Sequence, residues 1–261
     1  MNRAIRLSLR VSLQPAVTSR GILQVKVTES EIRWVAEATD ILASVLQAKP
    51  EARIGWPTGT TPLPFYAELR RRAAIGSLAA QASRAVMLDE YLDPPEAAFS
   101  SWSWLWREVW TPLRLGREQV LRMPHRSPGI DAACGEFERA LAEGGGCDLL
   151  ILGLGANGHV GFNEPGTAMD TRTRVVKLTA ETADANAAYW RGRFTPEFAV
   201  TMGMATILEA RQILLLVRGG AKADVLRRML HDPVSSELPA TFLREHEGLT
   251  ILADPEAAAE L

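Results

Sequence analysis

A glycine-rich segment at residues 152–167 carries the side chains best suited to acid–base chemistry. Its sequence is LGLGANGHVGFNEPGT, and its five glycines permit unusual backbone dihedrals and close approach of a ligand. His159 and Glu164 lie five residues apart in this non-helical segment, so a turn could bring the imidazole and the carboxylate together. A carboxylate orients an imidazole ring and favours its protonated form, which suits proton transfer near neutral pH.

A dinucleotide-binding loop is the alternative for this segment, because Gly153, Gly155 and Gly158 have the G-x-G-x-x-G spacing. That loop should open a helix, with an acid about 20 residues further on. Here a polar loop interrupted by Pro165 follows instead. The sequence therefore favours a proton-transfer site over a dinucleotide site.

A second candidate is the acidic segment that follows the predicted strand 85–88. Asp89 and Glu90 lie at the carboxyl end of that strand, where open α/β sheets bind their ligands. Asp89 is a candidate general base, and a turn or helix cap is the commoner role of a lone aspartate. Both interpretations remain open from the residues alone.

A third candidate is the segment 57–63, PTGTTPL, between a predicted strand and a predicted helix. We expect Thr61 as the helix N-cap and Pro62 as the first helical residue. Gly59 allows close backbone approach, and free N–H groups at a helix start favour an anion. The Gly-Lys-Ser/Thr of a Walker A loop is missing, so a monophosphate is expected. A capped helix without a ligand is the alternative.

Lys222 is a fourth candidate, because it opens a helix after the sequence Arg218-Gly219-Gly220-Ala221. A cation in a first helical turn opposes the helix dipole, and a bound anion would relieve that cost. A solvated lysine that points away is the equal alternative.

The elements that must position these residues alternate between strands and helices. Alternating apolar and polar residues predict a half-exposed strand at 22–27. Short apolar runs predict buried strands at 53–56, 85–88, 147–152, 213–217 and 249–253. Helical spacing predicts a helix after a capping box at Thr28–Glu31, and others at 62–72, 131–143, 196–209 and 222–231. This alternation predicts one α/β domain at 22–261, after an N-terminal extension at 1–21. Its sheet should be doubly wound and mostly parallel, with helices on both faces.

The composition excludes several other functions. The chain has 261 residues, with 29 Lys and Arg against 31 Asp and Glu, which argues against a nucleic-acid or anionic-membrane partner. Two cysteines and four scattered histidines predict neither a disulfide framework nor a metal site. The basic N-terminus lacks the apolar core of a signal peptide, and no apolar run approaches the ~20 residues of a membrane helix. We therefore expect a cytoplasmic protein that acts on a small molecule.

Together, the segments PTGTTP at 57–62, DEY at 89–91 and NGHVGFNEPGT at 157–167 resemble the glucosamine-6-phosphate deaminase/isomerase family. That family shares its fold with 6-phosphogluconolactonase, and the resemblance runs from about Ile22 to the C-terminus. Lactonases of this fold diverge after the Gly-His pair and lack the Asn-Glu-Pro that contains Glu164.

The resemblance implies conversion of glucosamine- or galactosamine-6-phosphate to a ketose 6-phosphate and ammonia, without a metal or cofactor. By this likeness His159, oriented by Glu164, opens the sugar ring, and Asn157 belongs to the same catalytic group. Asp89 moves a proton from C2 to C1 through an enediol-like species. The phosphate is held by Lys222 and by four residues of the third segment: Thr58, Gly59, Thr60 and Thr61.

Three positions depart from the family pattern. Some members carry an aspartate where Asn157 stands, so Glu164 alone must supply the charge next to the histidine. A phosphate-binding arginine is usual at Ala188, and Arg191 or Arg193 is a candidate substitute. Val176 replaces a basic residue of allosterically regulated members, so we expect hyperbolic kinetics without activation by an amino sugar.

Two alternatives stay open at this point. One is a 6-phosphogluconolactonase or another sugar-phosphate isomerase on the same fold. The other is a non-catalytic sugar-phosphate effector domain of a transcription regulator. Trp102, Trp106 and Trp110 share a predicted helix face, so they are expected in the core or in the contact of a homo-oligomer.

Overall fold

The computed structural model describes residues 12–18 and 21–261, with side chains from Val25 onward except at 185, 188 and 189. Within these residues there are eleven strands: β1 (Ser12–Thr18), β2 (Gly21–Val27), β3 (Arg53–Trp56), β4 (Arg84–Met87), β5 (Asp89–Tyr91), β6 (Val120–Leu121), β7 (Leu149–Gly153), β8 (Arg174–Lys177), β9 (Phe198–Thr201), β10 (Ile213–Val217) and β11 (Leu249–Ala253). The α-helices are α1 (Glu31–Ala48), α2 (Leu63–Ala74), α3 (Ser101–Leu105), α4 (Ile130–Glu143), α5 (Ala180–Tyr189), α6 (Met204–Leu208) and α7 (Ala223–His231).

The larger sheet has the strand order β1-β2-β11-β10-β7-β3-β4-β6, and β1 is its one antiparallel strand. From β3 the chain continues to β4 and β6, whereas from β7 it continues to β10 and β11 on the other side. Right-handed crossovers in opposite directions place their helices on opposite faces of the sheet. The predicted doubly wound, mostly parallel α/β fold is confirmed.

The six predicted strands are all present, with ends within two residues of the prediction. The central strand β10 consists of five apolar residues, and all of them are buried. Strands covered on both faces need such continuous apolar runs, which is why the sequence revealed them. Residues 1–11 and 19–20 of the predicted N-terminal extension lie outside the described part of the chain.

A second sheet was not predicted. Strands β5, β9 and β8 form it in antiparallel pairs, with Asp89 opposite Thr201. The predicted helix 196–209 is therefore wrong, because Phe198–Thr201 is β9 and only Met204–Leu208 is helical. Gly203 separates the two, and a Cβ there would lie 2.1 Å from the carbonyl oxygen of Thr171. The close approach of this neighbouring backbone requires a glycine at the break.

Two predicted helix starts are shifted. The N-cap of α1 is Ser30, whose Oγ accepts from the N–H of Arg33 at 3.3 Å. Thr28, the expected start of a capping box, instead donates to the carbonyl oxygen of Ala253 at 3.4 Å. Helix α2 begins after Pro62, with no side-chain cap. The hydroxyl of Thr61 is therefore not used as a cap.

The tryptophan-rich segment forms α3 and a following π-helical turn, Trp106–Trp110. The rings of Trp102, Trp106 and Trp110 pack edge to face, with centroids 5.4–5.6 Å apart. The guanidinium of Arg122 lies 4.5 Å from the centre of the Trp102 ring. These contacts within the chain account for the spacing of the three tryptophans.

Candidate active site

The cavity that collects the predicted residues lies at the carboxyl ends of β3 and β7. The chain runs outward across the sheet in one direction from β3 and in the other direction from β7, so the strand order reverses between these two neighbours. Doubly wound folds usually bind their ligands at this position. The cavity has a volume of about 470 Å³. Eight of the nine predicted site residues line it: Thr58, Gly59, Thr60, Thr61, Asp89, Asn157, His159 and Lys222. The ninth, Glu164, lies behind His159.

The loop after β3 presents unused hydrogen-bond donors to this cavity. Gly59 has a φ of +94°, a left-handed conformation that favours glycine. Within the described part of the chain, the backbone N–H groups of residues 58–61 and the hydroxyls of Thr58, Thr60 and Thr61 have no hydrogen-bond partner. Converging free donors next to the start of α2 are suited to an anion.

Lys222 adds a positive charge at this end of the cavity. It directly precedes α7 and is half-buried. Burial lowers the pKa of Lys222, and the charge of Glu181 opposes that shift. Of the described residues that line the cavity, Lys222 is the one lysine or arginine. Arg191 and Arg193, the candidate substitutes for a phosphate-binding arginine, are not among the residues that line it, and their role stays a prediction.

Arg193 has another partner, since its guanidinium lies 5.4 Å from the centre of the Phe99 ring. Arg191 sits in a left-handed turn with a φ of +54°. Both arginines are exposed, in the segment that follows α5. The side chain of Ala188 lies outside the described part.

The loop after β7 holds the imidazole of His159 against the backbone. The N–H of Gly155 donates to the carbonyl oxygen of His159 at 2.9 Å. A Cβ at Gly155 would lie 2.5 Å from the imidazole ring, so only glycine leaves room for it. The N–H of His159 donates to Oδ1 of Asn157 at 3.2 Å. These two hydrogen bonds fix the backbone of His159, and Gly155 leaves room for its ring at the cavity wall.

Glu164 lies next to Nδ1 of that ring. Its Oε2 is 3.5 Å from Nδ1 of His159 and accepts a 2.8 Å hydrogen bond from Nδ2 of Asn157. Its Oε1 accepts from Thr179 at 3.3 Å. Burial raises the pKa of Glu164, but the side chains of His159, Thr182 and Asn157 lower it to about 2. Glu164 is therefore a carboxylate at neutral pH, next to Nδ1.

Asp89 is the second ionisable group in the cavity. It is buried, and no described residue donates a hydrogen bond to its carboxylate. Burial, followed by the negative charge of Glu90, raises the pKa of Asp89 to about 7. A carboxyl group that titrates near neutral pH exists in both protonation states there, which suits an acid–base catalyst.

Glu90, in contrast, is fully buried and does not line the cavity. Its Oε1 accepts from the N–H groups of Tyr91 at 2.9 Å and Ser101 at 2.7 Å. Its Oε2 accepts from the N–H of Trp102 at 2.9 Å. This supports a structural role for Glu90 in joining β5 to the start of α3.

Several cavity residues were missed by the sequence reasoning. Helix α5 contributes Glu181, Thr182 and Asn186, and the segment 101–104 contributes Ser101 and Trp104. The hydroxyl of Tyr91 donates to Oδ1 of Asn186 at 2.7 Å, which ties α5 to β5. A polar asparagine within a helix was the only signal, and it does not indicate a partner 95 residues away.

No group of histidine, cysteine, aspartate and glutamate side chains in the described part of the chain could hold a metal ion. No helix within those same residues is long and apolar enough to span a membrane.

Comparison with known proteins matches residues 28–252 to the model of the family described as glucosamine-6-phosphate isomerases/6-phosphogluconolactonase. A glucosamine-6-phosphate deaminase of Streptomyces avermitilis is 40% identical over 230 residues, 87% of each chain. One of Rhodopirellula baltica is 36% identical over 92% of this chain and 96% of its own.

The structural comparison agrees. A monomeric glucosamine-6-phosphate deaminase of the NagB superfamily superposes with a TM-score of 0.85 at 33% identity, over 91% of this chain and 99% of its own. A 6-phosphogluconolactonase from Trypanosoma brucei has a TM-score of 0.72 at 21% identity, over 96% of this chain and 100% of its own, and shares the fold. This chain belongs to the glucosamine-6-phosphate isomerase/6-phosphogluconolactonase family.

Proposed function

We propose that this protein is an amino-sugar phosphate deaminase/isomerase, which converts a hexosamine 6-phosphate to a ketohexose 6-phosphate and ammonia. The proposal depends on one observation. The buried Asp89 and His159, with Glu164 beside it, lie at the same cavity as the loop of free hydrogen-bond donors after β3. The named relatives in Streptomyces avermitilis and Rhodopirellula baltica are deaminases of glucosamine 6-phosphate.

The substrate phosphate binds at the loop after β3. The free N–H groups and hydroxyls of Thr58–Thr61 donate to its oxygens, and Lys222 supplies the charge. This remote group holds the sugar in place, so the reacting carbons reach the other end of the cavity in a defined orientation.

His159 opens the sugar ring. The carboxylate of Glu164 faces Nδ1, so the proton of the neutral ring resides on Nδ1 and Nε2 is left as the base. Nε2 takes the proton of the C1 hydroxyl and returns it to the ring oxygen as the C1–O5 bond breaks. The product is the open-chain amino aldehyde.

Asp89 then performs the isomerisation. Its carboxylate removes the proton from C2 while the substrate's ammonium group passes a proton to the C1 oxygen, which gives a 2-amino enol. The resulting carboxylic acid then donates its proton to C1, so the C1 oxygen remains as an alcohol and C2 becomes an iminium. Water adds to this iminium, and ammonia leaves, which produces the ketose 6-phosphate.

A 6-phosphogluconolactonase on the same fold is the alternative. Lactone hydrolysis requires attack of water on a carbonyl carbon and no proton shuttle between C2 and C1. Glu164 beside His159 favours the deaminase, because lactonases of this fold diverge after the Gly-His pair and lack the Asn-Glu-Pro that contains this residue. The lactonase structure shares only 21% identity, so it supports the fold alone.

The test is an assay of ammonia release from glucosamine 6-phosphate and galactosamine 6-phosphate, with 6-phosphogluconolactone hydrolysis measured in parallel. Asp89→Asn and His159→Gln should each lower kcat by about 100-fold or more. His231→Gln is the matched control, because His231 is exposed at the end of α7 and should retain full activity. Lactone hydrolysis without ammonia release would contradict the proposal.

The cellular setting is part of the same proposal. Phosphorylated amino sugars are charged and do not cross membranes unaided, so we propose a cytoplasmic location and a role in amino-sugar catabolism. The structural relative is named as monomeric. Sedimentation of the purified protein decides between a monomer and a homo-oligomer.

A further inference from the structure

One hydroxyl in the cavity wall has no role in the mechanism above. Ser101 is the first residue of α3, lines the cavity that contains Asp89 and is 2% exposed. Its hydroxyl has no hydrogen-bond partner among the described residues. The neighbouring Ser100, by comparison, donates to the carbonyl oxygen of Ala97 at 2.7 Å. The Oγ of Ser101 is not among the fully enclosed side-chain atoms that lack a partner, so it opens onto the cavity, where a hydroxyl can donate to or accept from a ligand group.

The position of Ser101 is fixed relative to Asp89. Its N–H donates at 2.7 Å to Oε1 of Glu90, and the same oxygen accepts from Tyr91 at 2.9 Å. Glu90 follows Asp89 in β5 and is fully buried. One carboxylate therefore joins the backbone of Ser101 to the strand that carries the base.

Large aromatic side chains flank Ser101 in this segment. The ring of Trp102 packs against Trp106 at 5.6 Å, away from the cavity. Trp104 lines the cavity next to Ser101 and packs on Tyr66 with centroids 6.0 Å apart. In small-molecule sites, a few polar groups placed among apolar side chains fix the orientation of the ligand.

We propose that Ser101 is a substrate-binding residue whose hydroxyl forms a hydrogen bond with the C3 hydroxyl of the hexosamine 6-phosphate. The inference rests on the proposed function, in which C1 and C2 lie at Asp89 and the phosphate lies at Thr58–Thr61. C3 adjoins C2, so its hydroxyl is the sugar group nearest to a residue joined to the strand of Asp89. Ser101 then selects sugars that carry a C3 hydroxyl.

The test combines Ser101→Ala with deoxy substrates. On glucosamine 6-phosphate the variant should lose about tenfold in kcat/KM, the usual cost of one neutral hydrogen bond. On the 3-deoxy analogue the variant and the wild type should agree within about twofold, whereas the 4-deoxy analogue should show the tenfold loss again. Such a pattern separates a substrate contact from a general structural effect.

Ser103→Ala is the matched control. Ser103 lies in the same helix, does not line the cavity, and its backbone N–H donates to Oγ of Ser100 at 3.1 Å. It should have wild-type kcat/KM on all three substrates. Melting temperatures of both variants establish that each is folded.

The outcomes separate the two proposals. An active wild type with no loss in Ser101→Ala overturns the assignment of Ser101, and so does a tenfold loss on the 3-deoxy analogue. A folded wild type that releases no ammonia from either hexosamine 6-phosphate overturns the proposed function, and the role of Ser101 with it.

Discussion

The side-chain amide of Asn157 donates a 2.8 Å hydrogen bond to Oε2 of Glu164, the oxygen that lies 3.5 Å from Nδ1 of His159. Asn157 thus holds the carboxylate next to the imidazole without adding charge. Glu164 supplies the negative charge of this group, as the sequence predicted for a chain with asparagine at position 157.

Asn157→Asp should place a second carboxylate against Glu164. Two carboxylates this close cannot both ionise freely, so the pKa of one rises. A carboxyl pKa that is raised in the folded state lowers the free energy of unfolding at high pH. The cost disappears at low pH, where the carboxyl is protonated in both the folded and the unfolded state. We expect the variant to be less stable than wild type by about 1–2 kcal/mol at pH 8, with the difference shrinking towards pH 4. Urea unfolding at both pH values measures this.

Asn157→Ala is the control for that prediction. It removes the same hydrogen bond without introducing a charge, so its loss of stability should be similar at both pH values. An Asn157→Asp penalty that does not change with pH would contradict the charge argument.

Gly155→Ala should inactivate the enzyme while leaving it folded. The new Cβ would lie 2.5 Å from the imidazole of His159, so the ring must move. Displacement of a catalytic group by about 1 Å costs about 100-fold in rate. Gly135→Ala in α4 is the control, because a Cβ there meets nothing within 4 Å. Equal kcat in both variants would show that the position of the ring is unimportant.

The rate should depend on the ionisation of Asp89. Burial, then Glu90, raises its pKa to about 7. The carboxylate is the base, so kcat/KM should rise tenfold per pH unit below pH 7 and level off above it. A pH profile of the wild type from pH 5 to 9 measures this. A flat profile through pH 7 would exclude Asp89 as the base.

Asp89→Asn should gain stability relative to wild type as the pH rises. The folded-state pKa of Asp89, about 7, exceeds the ordinary value of 3.8, so folding holds the proton more tightly. The free energy of unfolding of the wild type therefore falls between pH 4 and 7, as the buried carboxyl is forced to ionise. The asparagine variant has no carboxyl at this position, so it does not show this fall. The advantage of the variant should grow by about 2 kcal/mol from pH 5 to pH 8. Urea unfolding tests it, and an unchanged difference would contradict it.

Lys222→Met should weaken substrate binding more than turnover. Lys222 is the one cationic side chain among the described residues of the cavity wall. Loss of a charged hydrogen bond to the phosphate should raise KM by about 10- to 100-fold. Lys177→Met is the control, because Lys177 is an exposed lysine of β8 that does not line the cavity. Its Nζ lies 3.6 Å from Oε1 of Glu197. Unchanged KM in Lys222→Met would place the phosphate elsewhere.

The sequence by itself determined the parallel sheet and the residues at its carboxyl edge. Strands such as Ile213–Val217 are continuous apolar runs because both faces are covered, and that pattern is local. The carboxyl ends of parallel strands share one edge, so Thr58–Thr61, Asp89 and His159 could be predicted to meet there. No knowledge of distant contacts was needed.

The tertiary structure decided which other residues complete the cavity. Strands β5, β8 and β9 have three or four residues each, and β5 pairs with β9 across more than a hundred positions, so no local pattern marks this sheet. Glu90 finds its N–H donors in Ser101 and Trp102, and Tyr91 finds Asn186. These contacts depend on how the chain folds back on itself, because a buried polar group takes whichever partner packing brings within reach. The wall around Asp89 therefore became visible only in three dimensions.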